Sequence, residues 1–164
     1  MQEALAGILT EAGQPFQREV VIPNCPEGSL RPADILLRGW LASTDVAVDL
    51  TVCHGWQAAE RAAAATAQTR EKWRAFLTRK ERGKREKYVG VCRAAGWAFL
   101  PMAFGTWGGM GPEACKLLSR VVARGAAWLD GGLRVRRQEE LRQTVGVALL
   151  RHVWRLLDAK NLIQ

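Results

Sequence analysis

The sequence predicts an α/β fold, a small mixed β-sheet flanked by helices with a helical extension at the C-terminal end. Three observations carry this. Short aliphatic and β-branched runs alternate with helical patterns in the order helix, three strands, long helix, strand, helix, helix. The strand-like runs are bounded by Pro, Gly and Asn. The chain has 164 residues, 48% of them hydrophobic, which suits one domain with a proper core.

Each element has a local reason. Leu5, Ile8 and Leu9 set a helical spacing over residues 3–12, which stops at Gly13. Residues 18–22 read as a strand ended by Pro23, and residues 23–28 as a loop of chain breakers. Residues 33–37 and 46–53 are two further strands, joined by a link of hairpin length from Gly39 to Asp45. From Gln57 the pattern turns helical. Residues 58–67 are alanine-rich, and the helix continues through a basic stretch, with breaks expected near Thr78 and Gly83, to a C-cap at Gly96. Residues 97–104 form a buried strand in which Pro101 predicts an edge position or an irregularity. A glycine-rich loop over residues 105–111 follows. Pro112 then opens a helix to position 129, and residues 138–159 form a last helix beyond Asp130-Gly131-Gly132. Residues 1–129 are read as the core and 130–164 as a C-terminal helical extension of the same domain.

The totals narrow the function class. No run approaches the roughly 20 apolar residues of a membrane span. The start, Met1-Gln2-Glu3-Ala4, lacks the charged and apolar regions of a signal peptide, so an intracellular protein is expected. Cys25, Cys53, Cys92 and Cys115 include no C-x-x-C spacing and read as reduced, mostly buried thiols. His54 and His152 have no nucleophilic or general-base arrangement in the sequence. The formal net charge is +8, and its distribution is uneven. Between positions 70 and 93 stand ten bases (Arg70, Lys72, Arg74, Arg79, Lys80, Arg82, Lys84, Arg85, Lys87, Arg93) against Glu71, Glu81 and Glu86. A stripe this dense is an electrostatic footprint for a phosphate backbone. The plain alternative is a solvated helix face laced by pairs such as Glu81 with Arg85.

Two aspartates stand in strand-like runs, where an unpaired carboxylate is costly. Asp34 opens Ala33-Asp34-Ile35-Leu36-Leu37, and Asp49 lies in Val46-Ala47-Val48-Asp49-Leu50-Thr51-Val52. Alternation puts Val46, Val48, Leu50 and Val52 on one face, and Ala47, Asp49 and Thr51 on the other, less apolar face. Two adjacent strands can bring both carboxylates to one Mg²⁺, which suits hard oxygen donors and also binds phosphate. On the basic helix, Tyr88, Val91, Cys92 and Ala95 form one stripe. At ~100° per residue Lys84 falls about 30° from its centre, Lys80 about 70° and Lys87 about 90°. Lys84 therefore either snorkels out or points into a polar site on the sheet.

The ordered set Arg31-Pro32-Ala33-Asp34, Asp49-Leu50-Thr51-Val52, Lys84-x-x-Lys87-Tyr88, Phe99-Leu100-Pro101 and Phe104-Gly105-x-x-Gly108-Gly109-x-Gly111-Pro112-Glu113-Ala114 resembles the restriction-like endonuclease domain of non-LTR retrotransposons. That domain belongs to the PD-(D/E)XK nuclease superfamily, and the resemblance covers roughly residues 15–125. It implies a PD-(D/E)XK core and a metal-dependent endonuclease that nicks DNA and leaves a 3′-hydroxyl to prime reverse transcription. It also implies a reverse transcriptase domain upstream, and a nuclear place of action on chromosomal DNA. Asp34 and Asp49 would be the metal ligands, with the Leu50 carbonyl as a further one, holding Mg²⁺ or Mn²⁺. Lys84 or Lys87 would be the catalytic lysine, and the stripe favours Lys84. Glu11 or Glu19 would complete the site. Arg70, Lys72, Arg74, Arg79, Lys80, Arg82 and Arg85 would grip DNA, with Trp107 stacking from the glycine-rich loop. Two positions depart from the superfamily pattern. Thr51 stands where its lysine is expected, and Ala33 separates Pro32 from Asp34. These departures motivate the rival expectation, a catalytically inactive nucleic-acid-binding module on the same fold.

Overall fold

The computed structural model describes residues 1–22, 33–41, 43–53, 70–105 and 109–125, then 132, 133, 135–137, 139, 140, 143, 144, 146–148 and 151. Of residues 70–72 only the backbone is described. The expected loop at 23–28, the alanine-rich stretch at 58–67, Cys25, His54, Trp107 and His152 lie outside the described residues, as do the side chains of Arg70 and Lys72.

The elements run α1 (Gln2–Glu11), β1 (Phe16–Val20), β2 (Ala33–Leu41), β3 (Thr44–Cys53), α2 (Arg70–Ala94), β4 (Ala98–Gly105) and α3 (Pro112–Gly125). The strands form one mixed sheet in the order β1-β2-β3-β4. The first two pairings are antiparallel and β3 with β4 is parallel. A parallel pair needs a crossover, and α2 supplies it. Pro101 sits in β4 at the sheet edge, where its missing N–H is tolerated. The described residues between 132 and 151 are helical, and Gly132, Leu133 and residues 135–137 among them lie before the expected start at 138.

The sheet is covered on both faces. One face carries Ile35, Leu37, Val46, Val48, Met102 and Phe104, packed against α1 and α3. Ala114, Leu117, Leu118, Val121 and Val122 repeat at helical spacing and give α3 its apolar stripe. On the other face α2 packs Leu77 near Cys53 and Ala103, and Cys92 near Ala47, Leu36 and Phe99. Burial on both faces explains why Val46-Ala47-Val48 is apolar without alternation.

Two local expectations change. The long helix passes through Thr78 and Gly83 without a break for 25 residues, because its Leu77-to-Cys92 stripe is held by the sheet beneath. β2 runs on to Leu41, which pairs with Thr44, so the β2–β3 link is tighter than the interval from Gly39 to Asp45. The register shifts between Leu37 and Leu41, where Gly39 adopts φ 58° and donates its N–H to the Asp45 carboxylate at 2.8 Å. At the other end of α2, Gly96 (φ 75°) donates to the Arg93 carbonyl, and Trp97 donates back to that of Cys92. This is the left-handed glycine cap expected there.

Candidate active site

The β2–β3 register positions the two aspartates. Ile35 faces Val48 and Leu36 faces Ala47, so one further step sets Asp34 opposite Asp49. The Asp34 carboxylate accepts the Leu50 N–H at 2.6 Å, and its own carbonyl accepts the Gln2 side-chain amide at 2.8 Å. A residue's N–H and C=O emerge on the same side of an extended strand, so the Leu50 carbonyl also turns toward β2.

Asp49 is 7% exposed. Its face is therefore not open, as alternation alone suggests, but roofed by α2. From α2 the Lys84 ammonium reaches both Asp49 oxygens, at 3.1 Å and 3.3 Å, and the Thr51 hydroxyl donates to Oδ2 at 3.3 Å. Burial pushes the Asp49 carboxyl above its ordinary value. The Lys84 charge and hydrogen bond oppose that shift, and the nearby Asp34 charge adds to it. The Lys84 side chain stays 35% exposed, so one ammonium touches both the buried acid and solvent. Cys92 lies beneath, its thiol pushed up to about 11 by burial and the Asp49 charge.

The other expected residues take distinct places. Lys87 is exposed and lies 5.0 Å over the Tyr88 ring, which Lys84 also approaches at 5.5 Å. Arg74, Arg79, Lys80, Arg82 and Arg85 are exposed along the outer side of α2. Arg82 pairs with Glu86 at 3.8 Å and Arg85 with Glu113 at 3.3 Å. Arg85 thus does not pair with Glu81, which points inward instead. Glu11 pairs with Arg137 and is occupied away from the aspartates. By register Glu19 falls opposite Asp34, between the pairs Arg18–Ile35 and Val20–Ala33, and it adopts φ 49°. Among the described residues no group of three or more His, Cys, Asp or Glu is placed to hold a metal. The paired aspartates fit Mg²⁺, which takes one or two carboxylates and fills its remaining positions with water and phosphate.

The sequence pattern does not single out Glu81 as a site residue. Glu81 is 3% exposed. Its carboxylate accepts the N–H of Ala103 on β4 and of Glu113 at the start of α3, both at 3.3 Å. Ala114 N–H is a further partner, yet burial still pushes the carboxyl above its ordinary value. The glycine-rich loop makes room for these contacts. A Cβ on Gly111 would stand 2.0 Å from Glu81 Oε1, and Cβ atoms on Gly105 and Gly109 would stand 2.5 Å and 2.3 Å from Trp73. The space over Gly105, Gly109 and Gly111 is therefore filled by the protein's own side chains, Trp73 and Glu81. The arithmetic that selects Lys84 could have found Glu81, which lies about 30° on the other side of the same stripe centre.

The chain matches no family model, no curated protein and no solved structure.

Proposed function

We propose that the chain is a metal-dependent DNA endonuclease with a PD-(D/E)XK core, of the restriction-like kind found in non-LTR retrotransposons. The observation that carries this reading is the meeting of Asp34, Asp49 and Lys84. Two carboxylates stand opposite each other on adjacent strands, with an ammonium from the crossover helix on one of them. The mixed sheet, with helices on both faces, is compatible with such a core.

In this reading Asp34 and Asp49, with the Leu50 carbonyl, hold Mg²⁺ or Mn²⁺. When bound, the ion polarises a phosphodiester and lowers the pKa of an attacking water. Lys84 takes the place of the lysine that Thr51 replaces. Its half-exposed ammonium orients that water or stabilises charge on the phosphate in an in-line displacement. Lys87 stands one turn along, at the solvent side of the Tyr88 ring. Arg74, Arg79, Lys80 and Arg82 on the outer side of α2 would hold the DNA backbone, with Arg70, Lys72 and Trp107 as further contacts. The product carries a 3′-hydroxyl that primes reverse transcription by an upstream polymerase domain, and action on chromosomal DNA places the protein in the nucleus.

Plasmid nicking with Mg²⁺ or Mn²⁺ tests the reading. Wild type relaxes supercoiled plasmid, and Asp49→Ala does not. Equal cutting by both, or by neither, removes the catalytic reading. One observation favours the rival, a DNA-binding module without catalysis: the Lys84 ammonium already neutralises Asp49. That module would bind DNA with steep salt dependence, cut nothing, and be indifferent to Asp34→Ala.

A further inference from the structure

We infer that Glu81 is a positioning residue for Lys84, fixing α2 on the sheet so that the ammonium falls on Asp49. The inference rests on the reading of Lys84 and Asp49 as site residues.

The start of α3 needs acceptors for its free N–H groups. The cheapest acceptor is a local Ser, Asp or Asn. Here Gly111 precedes Pro112 and has no side chain to offer. The acceptor comes instead from α2, 32 positions away in sequence. A carboxylate is thereby buried, and Gly111 is left bare to admit it, with no space for a Cβ. As a cap alone this is a costly arrangement.

Its geometry explains the choice. On β3 and β4, Thr51 pairs with Ala103 and Asp49 with Pro101. Glu81 bonds at the first of these levels and Lys84 at the second. Three helical residues rise ~4.5 Å and two strand residues ~6.6 Å, so the two anchors descend the strand together. The apolar contacts of α2, Leu77 and Cys92 on the sheet and Tyr88 against Phe99 at 5.7 Å, are not directional and tolerate a small slide or roll. Hydrogen bonds that one carboxylate accepts from β4 and from α3 do not. A roll of one residue, ~100°, would carry Lys84 off Asp49.

The test uses Glu81→Gln, which keeps size but replaces one acceptor oxygen with a donor, and Glu81→Asp as the milder change. Single-turnover nicking per folded molecule falls roughly 10- to 100-fold in Glu81→Gln, the scale of a misplacement near 1 Å. DNA affinity is unchanged, the pH profile of nicking shifts, and Glu81→Asp recovers part of the rate. A lower melting temperature with the wild-type rate and pH profile in the folded fraction would overturn the inference and leave Glu81 a structural cap. If wild type cuts nothing, the proposed function fails while this inference remains testable. The stability coupling between Lys84→Met and Asp49→Asn is then measured twice, once with Glu81 intact and once in the Glu81→Gln background. Loss of half the coupling or more supports positioning, and full retention overturns it.

Discussion

The two faces of the sheet are built on opposite rules. Toward α1 and α3 the sheet presents Ile35, Leu37, Val46, Val48, Met102 and Phe104 without a polar interruption. Toward α2 the same strands present Asp34, Asp49 and Thr51 beside Leu36, Ala47, Phe99 and Ala103, and α2 answers with Lys84 and Glu81. Stability alone would favour the first solution on both faces. Replacing buried charges by well-packed apolar groups is often neutral or stabilising. Under the proposed function the charged face carries the chemistry and the apolar face is the platform that holds it.

The largest expected effect breaks this contrast at its centre. Asp49→Ala and Asp34→Ala each abolish metal-dependent nicking, and Lys84→Ala lowers its rate by ~10²–10³, the scale of one well-aimed charge-stabilising donor. The folded fraction, followed by circular dichroism, stays high in the aspartate variants. Leu117→Ala on the opposite face does the reverse. It costs about 2–5 kcal/mol in urea unfolding and leaves the nicking rate per folded molecule unchanged. A Leu117→Ala variant that is stable but slow would dissolve the division between platform and site.

A smaller effect tests whether the charges on the α2 face depend on each other. Lys84→Met leaves a carboxylate that is 7% exposed without its counter-charge, and about 1–3 kcal/mol is lost, since solvent still reaches the site beside Lys84. Adding Asp49→Asn to Lys84→Met restores most of that stability in the same urea titration. If the double variant is as unstable as the single, the lysine acts through packing of its stem.

The sequence made these two faces legible to different degrees. Strand alternation separates Val46 and Val48 from Ala47 and Asp49, and that division matches the two clusters of the core. Helical arithmetic selects Lys84 over Lys87 and Lys80, and Lys84 is the lysine at Asp49. What alternation does not reveal is the roof. Whether a polar face is open or covered depends on where the crossover helix lands, and that follows from the parallel β3–β4 pairing, which is non-local. The break expected at Gly83 fails for the same reason, since tertiary contacts of Leu77 and Cys92 override a weak propensity. Glu81 is overlooked because a glutamate four positions before an arginine already has a satisfying local partner. Only the fold shows Arg85 turning to Glu113 instead.

The pH dependence of Glu81 sharpens the contrast further. Burial raises this carboxyl above 4.5 in the folded state, against the lowering by its amide partners. The folded protein then holds the proton more tightly than the unfolded chain. Stability from this group is full below the unfolded value and declines as pH rises through the raised folded value. Glu81→Gln has no such decline, so its deficit relative to wild type is larger at about pH 4 than at about pH 7. Urea midpoints at the two pH values measure it. A deficit that widens toward neutrality would mean that the amide bonds outweigh burial.

The smallest effect lies on the outer side of α2, where the charges are solvated and none is expected to matter to the fold. Arg79→Ala and Arg82→Ala change stability by less than about 0.5 kcal/mol, because exposed substitutions and exposed ion pairs contribute little. Each should nevertheless lower the salt slope of DNA binding by about one, the signature of one lost phosphate contact. Arg82 already shares its charge with Glu86 at 3.8 Å, so its loss should weaken binding less than that of Arg79. Fluorescence anisotropy of a labelled duplex across a salt series separates the two. If neither slope changes, the backbone of the DNA does not lie along this side of α2. The basic stripe would then be a solvated helix face, and the charged chemistry of the domain would be confined to the side of α2 that faces the sheet.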